Sequence, residues 1–307
     1  MKIIFAGTTE FGIPTLEKLL TLNYQLLTVI TQPDKPVGRK KPLTPTPIKL
    51  WAEKNGIPVL QPEKIRNSKF EIRNLDPDLM LVAAYGQIIP EEILNIPKYG
   101  SINIHGSLLP KYRGPTPIQA AILNGDDATG VTLMLMVERL DEGPVIASNE
   151  VKIKRHETFP QLYGRLSLTA SELVAKTLPA WFAKKITPQP QDNSQAAYTG
   201  FFDVKSGRID WTKSASEIDR KIRALNPEPG TWTTLNNKSV KILEAEEIPD
   251  EELIGLAGKI SARNKQLVVK CQTNSLKITK LQPEGKKIMP GADFANGLKD
   301  KQNNIFI

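Results

Sequence analysis

Short, strongly apolar runs alternate with amphipathic segments through the first half of the chain, and this alternation constrains the fold more than any other feature. Each run has the length and composition of a strand that is buried on both faces. The clearest of them are KIIFAG at 2–7, LLTVITQ at 26–32, DLMLVAAYG at 78–86 and SINIHG at 101–106. The pattern predicts an α/β domain built on a Rossmann-like parallel sheet.

The length of the chain indicates a second domain, because 307 residues exceed the size at which one hydrophobic core usually stops growing. A long segment with helical periodicity, 159–184, is expected to close the first domain. The polar stretch that follows has few aliphatic residues and is typical of a linker. Short strand-like segments separated by turn residues come after it and predict a small β-barrel. We therefore expect an α/β domain at 1–186, a linker at 187–206 and a β domain at 207–307.

Composition and charge narrow the kinds of partner and compartment. The formal net charge is +8, which favours a polyanionic partner because clustered Lys and Arg attract phosphates. Cys271 is the only cysteine, so an intramolecular disulfide is excluded and a reducing, cytoplasmic location is expected. The sequence has no stretch of 18 or more apolar residues and no secretory pattern at its start, so we expect neither membrane insertion nor export.

Several common catalytic motifs are missing from the sequence. It contains no GxxxxGK[ST], GxSxG or HExxH pattern and no cysteine pair, so nucleotide hydrolysis, metalloprotease chemistry and a zinc site lose support. The first strand is followed by Gly7-Thr-Thr-Glu-Phe-Gly12 in place of GxGxxG. We therefore expect a Rossmann-like sheet without a bound dinucleotide, and no metal.

The sequence offers two histidines for imidazole chemistry. His156 lies in the charged run KIKRHE and is interpreted as a surface residue. His105 ends a predicted strand, where the carboxyl ends of parallel strands meet ligands, although a buried structural histidine is the alternative. Asn103 precedes it by two residues, so both side chains are expected on the same side of the strand. Asp141 lies in a predicted turn before Gly143, a position that turn chemistry alone could explain.

Residues 101–145, SINIHGSLLPKYRGPTPIQAAILNGDDATGVTLMLMVERLDEGPV, resemble the folate-dependent formyltransferases. The family's signature pairs an N-x-H-x-S-L-L-P strand end with a later L-D-x-G turn. The resemblance implies that Asn103, His105 and Asp141 are catalytic and that the co-substrate is 10-formyltetrahydrofolate. It also implies that two short segments line the folate site: Tyr85, Gly86, Gln87 and Ile88, and Ser107, Leu108, Leu109 and Pro110.

The implied chemistry explains this set of residues. When a neutral amine attacks a formyl carbon, the carbonyl oxygen becomes an oxyanion, which N–H groups of Asn103 and of a protonated His105 would stabilise. Asp141 would stabilise the imidazolium and help to move the proton from the attacking amine to the leaving nitrogen. This reaction requires no covalent intermediate and therefore no serine or cysteine nucleophile.

The formyl acceptor is indicated by other segments. Residues 33–47 hold five prolines and four basic side chains, and resemble the loop with which the tRNA-directed members of the family approach the acceptor arm. The resemblance implies that this loop contacts phosphates, and it makes initiator methionyl-tRNA the expected acceptor. The basic residues of the loop are Lys35, Arg39, Lys40 and Lys41. LQPEGKKIMPGADFANG at 281–297 resembles the second domain of the same members, which is an OB-like barrel.

Two alternatives stay open from the sequence. An amino-sugar formyltransferase would share the catalytic motif and the RIDW element at 208–211, and a catalytically silent RNA-binding module would share the basic loop. Phe201 and Phe202 stand where relatives usually carry lysines, so they either lose a tRNA contact or pack between the domains. We expect a monomer.

Overall fold

The computed structural model describes residues 1–36, 42–249, 255–263, 266–298 and 304–307. Its contacts divide the chain into two units. The first unit comprises Met1–Pro117, Asp127–Ile153 and Pro160–Gly200. The second unit comprises Ile118–Asp126, Lys154–Phe159 and Phe201–Ile307. Residues 187–200, expected in a linker, thus belong to the first unit, while the boundaries drawn from the sequence stay a prediction.

From the N-terminus to residue 182, strands alternate with helices for most of the way. In chain order these elements are β1 (Lys2–Gly7), α1 (Ile13–Thr21), β2 (Gln25–Ile30), β3 (Lys35–Pro36), β4 (Leu43–Thr44), α2 (Pro47–Lys54), β5 (Val59–Leu60), α3 (Lys69–Asn74), β6 (Leu79–Ala83), α4 (Glu91–Leu94), β7 (Ser101–His105), α5 (Pro117–Asn124), β8 (Ala128–Leu135), β9 (Val145–Lys152) and α6 (Phe159–Phe182).

Among the described residues, the first unit contains a seven-stranded sheet in the order β5-β2-β1-β6-β7-β8-β9. The strands from β5 to β7 pair in parallel, whereas β8 and β9 complete the sheet as antiparallel strands. Ile3, Ile4, Phe5 and Ala6 of β1 are all fully buried. Since successive side chains of a strand point to opposite faces, both faces of the sheet are covered at β1. The parallel α/β sheet predicted from the apolar runs is present.

The start of α2 shows how the sequence fixes a helix end. Thr46 has an extended backbone, and its hydroxyl accepts a hydrogen bond from the Lys49 backbone N–H at 3.2 Å. Pro47 takes the first helical position, where no N–H is needed for the helix ladder. The chain leaves the helix through Gly56 at φ +68°, which glycine adopts without a steric cost. Thr46, Pro47 and Gly56 therefore fix the two ends of α2 through local chemistry.

The second unit is mainly an antiparallel sheet. Its elements from residue 215 onward are α7 (Ala215–Leu225), β10 (Thr231–Leu235), β11 (Lys238–Ile248), β12 (Ile260–Arg263), β13 (Gln266–Lys270), β14 (Ser275–Pro283), β15 (Met289–Pro290) and α8 (Gly291–Asn296). In the part of the chain described, the strand order is β10-β11-β14-β13-β12, with β15 paired to β14. Ser214 and Glu217 form a reciprocal capping box at the start of α7. Searching the described residues for a helix long and apolar enough to cross a membrane gives none.

Candidate active site

Strand β7 brings Asn103 and His105 to the same side of the sheet at its carboxyl end. On the antiparallel neighbour β8, Met134 lies opposite Asn103 and Thr132 lies opposite His105. His105 is 6% exposed, whereas Asn103 is half-buried. The alternation of the strand therefore places an amide and an imidazole next to each other, as the sequence predicted.

Asp141 completes the cluster from a turn between β8 and β9. One carboxylate oxygen, Oδ1, accepts a hydrogen bond from Asn103 Nδ2 at 3.2 Å. The other, Oδ2, accepts one from the Gly114 backbone N–H at 2.8 Å and lies 3.7 Å from His105 Nδ1. Asp141 is 8% exposed. The three residues that the family resemblance selected therefore converge, although 38 positions separate Asn103 from Asp141.

The hydrogen bonds of His105 determine which of its nitrogens faces the cluster. Nε2 lies 2.9 Å from the Tyr112 carbonyl oxygen. A carbonyl oxygen only accepts, so Nε2 carries the proton and donates it. The other nitrogen, Nδ1, faces Asp141 Oδ2. In the neutral imidazole Nδ1 is an acceptor, so two acceptors face each other across 3.7 Å, an arrangement suited to receive a proton.

The loop after β7 is fixed by hydrogen bonds to its own backbone and to β8. Thr132, fully buried, donates from its hydroxyl to the Ser107 carbonyl oxygen at 2.7 Å and accepts from the Leu109 N–H at 3.1 Å. The Ser107 hydroxyl donates to the Lys111 carbonyl oxygen at 2.6 Å. Leu108, Leu109 and Pro110 stay half-buried. The loop thus presents apolar surface on a rigid backbone, which suits a flat organic ligand.

The second segment of the expected folate site follows β6. The Tyr85 carbonyl oxygen accepts hydrogen bonds from Thr8 Oγ1 at 2.7 Å and from Gln32 Nε2 at 3.0 Å. Gly86 has φ +83°, and a Cβ there would lie 2.4 Å from Gln32 Nε2. The side chain of Gln87 bonds backward, with Oε1 accepting from the Ile65 N–H at 3.0 Å.

Two features of this segment fit an organic ligand. Ile88 is 84% exposed, which is unusual for so large an apolar side chain next to a sheet. The Tyr85 hydroxyl is buried and, among the described residues, has no hydrogen-bond partner; burial raises its pKa to about 12. Since β6 and β7 are parallel neighbours, the segments after them lie at the same edge of the sheet. Residues 85–88 and 107–110 therefore follow neighbouring strands at one edge of the sheet.

A hydrogen-bond network that sequence reasoning missed supports the Asp141 turn. Gln191 Nε2 donates to the carbonyl oxygens of Asp141 at 2.8 Å and Gly143 at 2.7 Å. Gln191 Oε1 accepts from Arg113 Nε at 3.1 Å and Nη2 at 2.8 Å. Arg113 is fully buried. The only sequence signal was an arginine followed by Gly114, a pattern that is equally typical of an exposed turn.

Comparison with known proteins is decisive for the family. The "Formyl transferase" family profile matches residues 1–178, and the "Formyl transferase, C-terminal domain" profile matches residues 203–299. The chain belongs to the formyl transferase family. Methionyl-tRNA formyltransferase of Bacillus cereus (strain B4264) is 45% identical over 303 residues, covering 97% of this chain and 96% of that protein. The protein of the same name from Bacillus thuringiensis (strain Al Hakam) is 44% identical over the same shares.

Solved structures confirm the fold of this formyl transferase. The N-formyltransferase from Helicobacter canadensis, in complex with folinic acid and dTDP-3-aminofucose, superposes with a TM-score of 0.69 at 21% identity. The match covers 92% of this chain and 99% of that one. The predicted family and fold class, a Rossmann-like domain followed by a smaller β domain, are confirmed. The chain is an enzyme, a one-carbon group transferase, and formyl-tetrahydrofolate is the formyl donor of its family.

The basic loop of this formyl transferase is described only at its ends. Lys35 begins the short strand β3, which pairs with β4, and its ammonium donates to Gln32 Oε1. The remaining candidate tRNA contacts, Arg39, Lys40 and Lys41, lie outside the described residues.

The part of the chain that the structure describes holds no group of three or more His, Cys, Asp or Glu arranged to bind a metal ion.

A cavity of about 470 Å³ lies at the start of β7, away from His105. Ser101, Met136, Trp181 and Lys184 contribute to its lining. His105 stands at the other end of the same strand. The cavity is therefore separate from the cluster of Asn103, His105 and Asp141.

Proposed function

We propose that this formyl transferase moves the formyl group of 10-formyltetrahydrofolate to the amino group of methionyl initiator tRNA. The observation that carries the proposal is the convergence of Asn103, His105 and Asp141 at the carboxyl end of β7. That cluster stands in a chain 45% identical, over 97% of its length, to a methionyl-tRNA formyltransferase. The product, N-formylmethionyl-tRNA, serves translation initiation.

Asn103 is the hydrogen-bond donor of the site. Its amide nitrogen carries two hydrogens, of which one is directed to Asp141 Oδ1. That bond fixes the amide orientation, so the second N–H is held in place for the formyl oxygen. A preorganised donor of this kind contributes about 10²- to 10³-fold in rate, because it stabilises the charge that develops on that oxygen without reorganising.

His105 and Asp141 accept the proton of the attacking amine and pass it on. The Tyr112 carbonyl keeps the proton of His105 on Nε2, so Nδ1 and Asp141 Oδ2 are both acceptors toward the site. The attacking amine of the methionyl group loses a proton to this pair as its new N–C bond forms. The same proton then passes to the nitrogen that leaves. The α-amino group has an ordinary pKa of about 8, so part of it is already neutral at physiological pH.

The folate co-substrate supplies the activated formyl group. Residues 107–110 would hold it with the half-buried side chains of Leu108, Leu109 and Pro110. Residues 85–88 would hold it with backbone groups and the exposed side chain of Ile88. The support for this assignment is that the two segments follow adjacent parallel strands at one edge of the sheet.

The tRNA is held by electrostatic attraction. Residues 33–47 carry four basic residues and one acidic residue, a net charge of 4 − 1 = +3, and the whole chain carries +8. Each phosphate that the loop neutralises adds close to one unit to the salt dependence of binding. We place the reaction in the cytoplasm, where initiator tRNA is charged, and expect the enzyme to act as a monomer.

The acceptor is tested by offering two amines in parallel. The purified protein is incubated with 10-formyltetrahydrofolate and either methionyl initiator tRNA or a nucleotide-linked 3-amino sugar, and the formyl label in each product is counted. Transfer to the tRNA alone supports the proposal. Transfer to the sugar alone would overturn the acceptor and keep the chemistry, whereas tRNA binding without any transfer would indicate a silent RNA-binding protein.

A further inference from the structure

Asp141 occupies a backbone conformation that needs support. Its φ is +52°, in the left-handed region that residues other than glycine rarely adopt, because the Cβ crowds the backbone there. The turn that contains it must nevertheless hold the carboxylate at a fixed distance from His105. Rate falls steeply when a reacting group is misplaced by even about 1 Å. Something outside the turn must therefore hold Asp141 in place.

One amide group holds the backbone on both sides of the turn. Gln191 Nε2 donates to the Asp141 carbonyl oxygen and to the Gly143 carbonyl oxygen, so both of its hydrogens are used. The amide cannot be reversed, because its oxygen would then face two carbonyl oxygens and be repelled by them. Gln191 thus ties the two ends of the Asp141–Gly143 segment to a single point.

Arg113 fixes the orientation of that amide. Two of its N–H groups converge on Gln191 Oε1, so the amide oxygen is bound to the arginine and the amide nitrogen must face the turn. Arg113 also donates from Nη2 to Asn193 Oδ1 at 2.7 Å and from Nη1 to the Tyr198 hydroxyl at 3.0 Å, and Nη1 lies 3.5 Å from Glu142 Oε1. Burying a guanidinium is costly unless its donors are satisfied in this way.

The same dipeptide reaches Asp141 by a second route. The backbone N–H of Gly114, the residue after Arg113, donates directly to the Asp141 carboxylate. Arg113 and Gly114 therefore hold Asp141 at both ends, the carboxylate directly and the carbonyl through Gln191. Gly114 has φ +111°, and a Cβ there would lie 2.5 Å from the Thr199 carbonyl oxygen, so the backbone approaches this close only with glycine.

We infer that Arg113 and Gln191 are positioning residues for the transfer reaction, acting through Asp141 and touching neither substrate. The inference rests on the proposed function for the part Asp141 plays in the reaction. It assigns a task to Gln191, whose segment pairs with other parts of the first unit through bridges from Gln189 to Val145 and from Tyr198 to Arg113.

Gln191→Glu separates positioning from folding. The new carboxylate keeps the two bonds to Arg113 and adds an ion pair, so the fold retains its anchor. Its second oxygen, however, faces the carbonyls of Asp141 and Gly143, where only a donor is tolerated. We expect kcat to fall about 10- to 100-fold. The KM values for folate and tRNA should stay within about twofold, and the melting temperature should be retained.

Asn193→Ala is the matched control, because it removes one Arg113 contact without touching the turn. We expect it to keep most of the wild-type kcat. Gln191→Met, which removes both the donors and the acceptor, should lose at least as much kcat as Gln191→Glu. Unchanged kcat in Gln191→Glu, or a loss of kcat matched by an equal loss of stability in every variant, would overturn the inference.

A readout that does not depend on turnover keeps this test separate from the proposed function. Hydrogen exchange of the Gly114 amide reports its bond to the Asp141 carboxylate. In Gln191→Glu we expect this exchange to accelerate about tenfold or more, while amides of β1 keep their protection. If the wild type formylates neither acceptor, the proposed function fails. Unchanged Gly114 exchange would refute the inference itself.

Discussion

Replacing Asp141 by asparagine removes a charge from the site and almost no volume. The carboxylate accepts from Asn103 Nδ2 at 3.2 Å and from the Gly114 N–H at 2.8 Å. An asparagine has one oxygen, so it can accept only one of these bonds, and its NH₂ group then faces a donor. Hydrogen bonds to charged groups contribute about 1.5 to 3 kcal/mol. The free energy of unfolding should fall by about that amount.

The effect on turnover should be larger than the effect on stability. Asp141→Asn removes the anionic acceptor 3.7 Å from His105 Nδ1 and releases the Asn103 amide from its fixed orientation. Losing a proton-transfer partner costs about 10²- to 10⁴-fold in rate. The affinity for tRNA should stay nearly unchanged, because the proposed phosphate contacts come from the loop at 33–47 and Asp141 is buried.

The assay measures single-turnover formylation, tRNA binding by filter retention and urea unfolding on the same preparations. Asp192→Asn is the control, since it makes the same chemical change at an exposed carboxylate whose contacts are with Ser194 and Gln195. Its turnover should match that of the wild type. A formylation rate of Asp141→Asn within threefold of the wild type, in a folded protein, would remove the carboxylate from the mechanism.

Three further predictions concern the loop and the folate site. Neutralising the basic residues at 39–41 should weaken tRNA use and flatten its salt dependence by up to about three units, while folate binding is retained; an unaltered slope would exclude the loop as the contact. Tyr85→Phe should keep or raise stability at neutral pH, because the buried hydroxyl lacks a partner among the described residues. Burial raises the pKa of Tyr85 to about 12, so the unfolded chain, in which tyrosine titrates near 10, loses this proton first. The free energy of unfolding of the wild type therefore falls as the pH rises from about 10 to 12. In urea unfolding, Tyr85→Phe should lose less stability over this pH range. Gly130→Ala should raise the KM for folate, since its Cβ would lie 2.4 Å from Leu108 Cδ2 and 2.3 Å from the Asn149 carbonyl oxygen; an unchanged KM would mean that Leu108 does not line the site.

The strands and the pairing of Asn103 with His105 could be predicted because their signals are local. A run such as KIIFAG at 2–7 is apolar throughout because the sheet is covered on both faces at β1. Asn103 and His105 share a side because a strand alternates with a period of two. Asp141 could be selected only through resemblance to a family, because an aspartate before a glycine turn has no local sign of catalysis.

The support of the site could not be predicted because it joins distant residues through polar side chains. Arg113 and Gln191 are 78 positions apart. The polar composition around Gln191 is that of a linker, and this half-buried side chain finds its partners only through tertiary contacts. The direction of β8 could not be predicted either, because its sequence suits a parallel or an antiparallel strand. Residues 118–126, which connect toward it, belong to the second unit, and β8 returns antiparallel to β7.

The most direct test of the central claim is single-turnover transfer of labelled formyl from 10-formyltetrahydrofolate to methionyl initiator tRNA by the wild type and by His105→Ala. The wild type should complete the transfer in one kinetic phase. His105→Ala should bind both substrates and transfer about 10²- to 10⁴-fold more slowly, because it lacks the imidazole that takes part in the proton transfer. Transfer at the wild-type rate by His105→Ala would contradict the assignment of the active site to the end of β7.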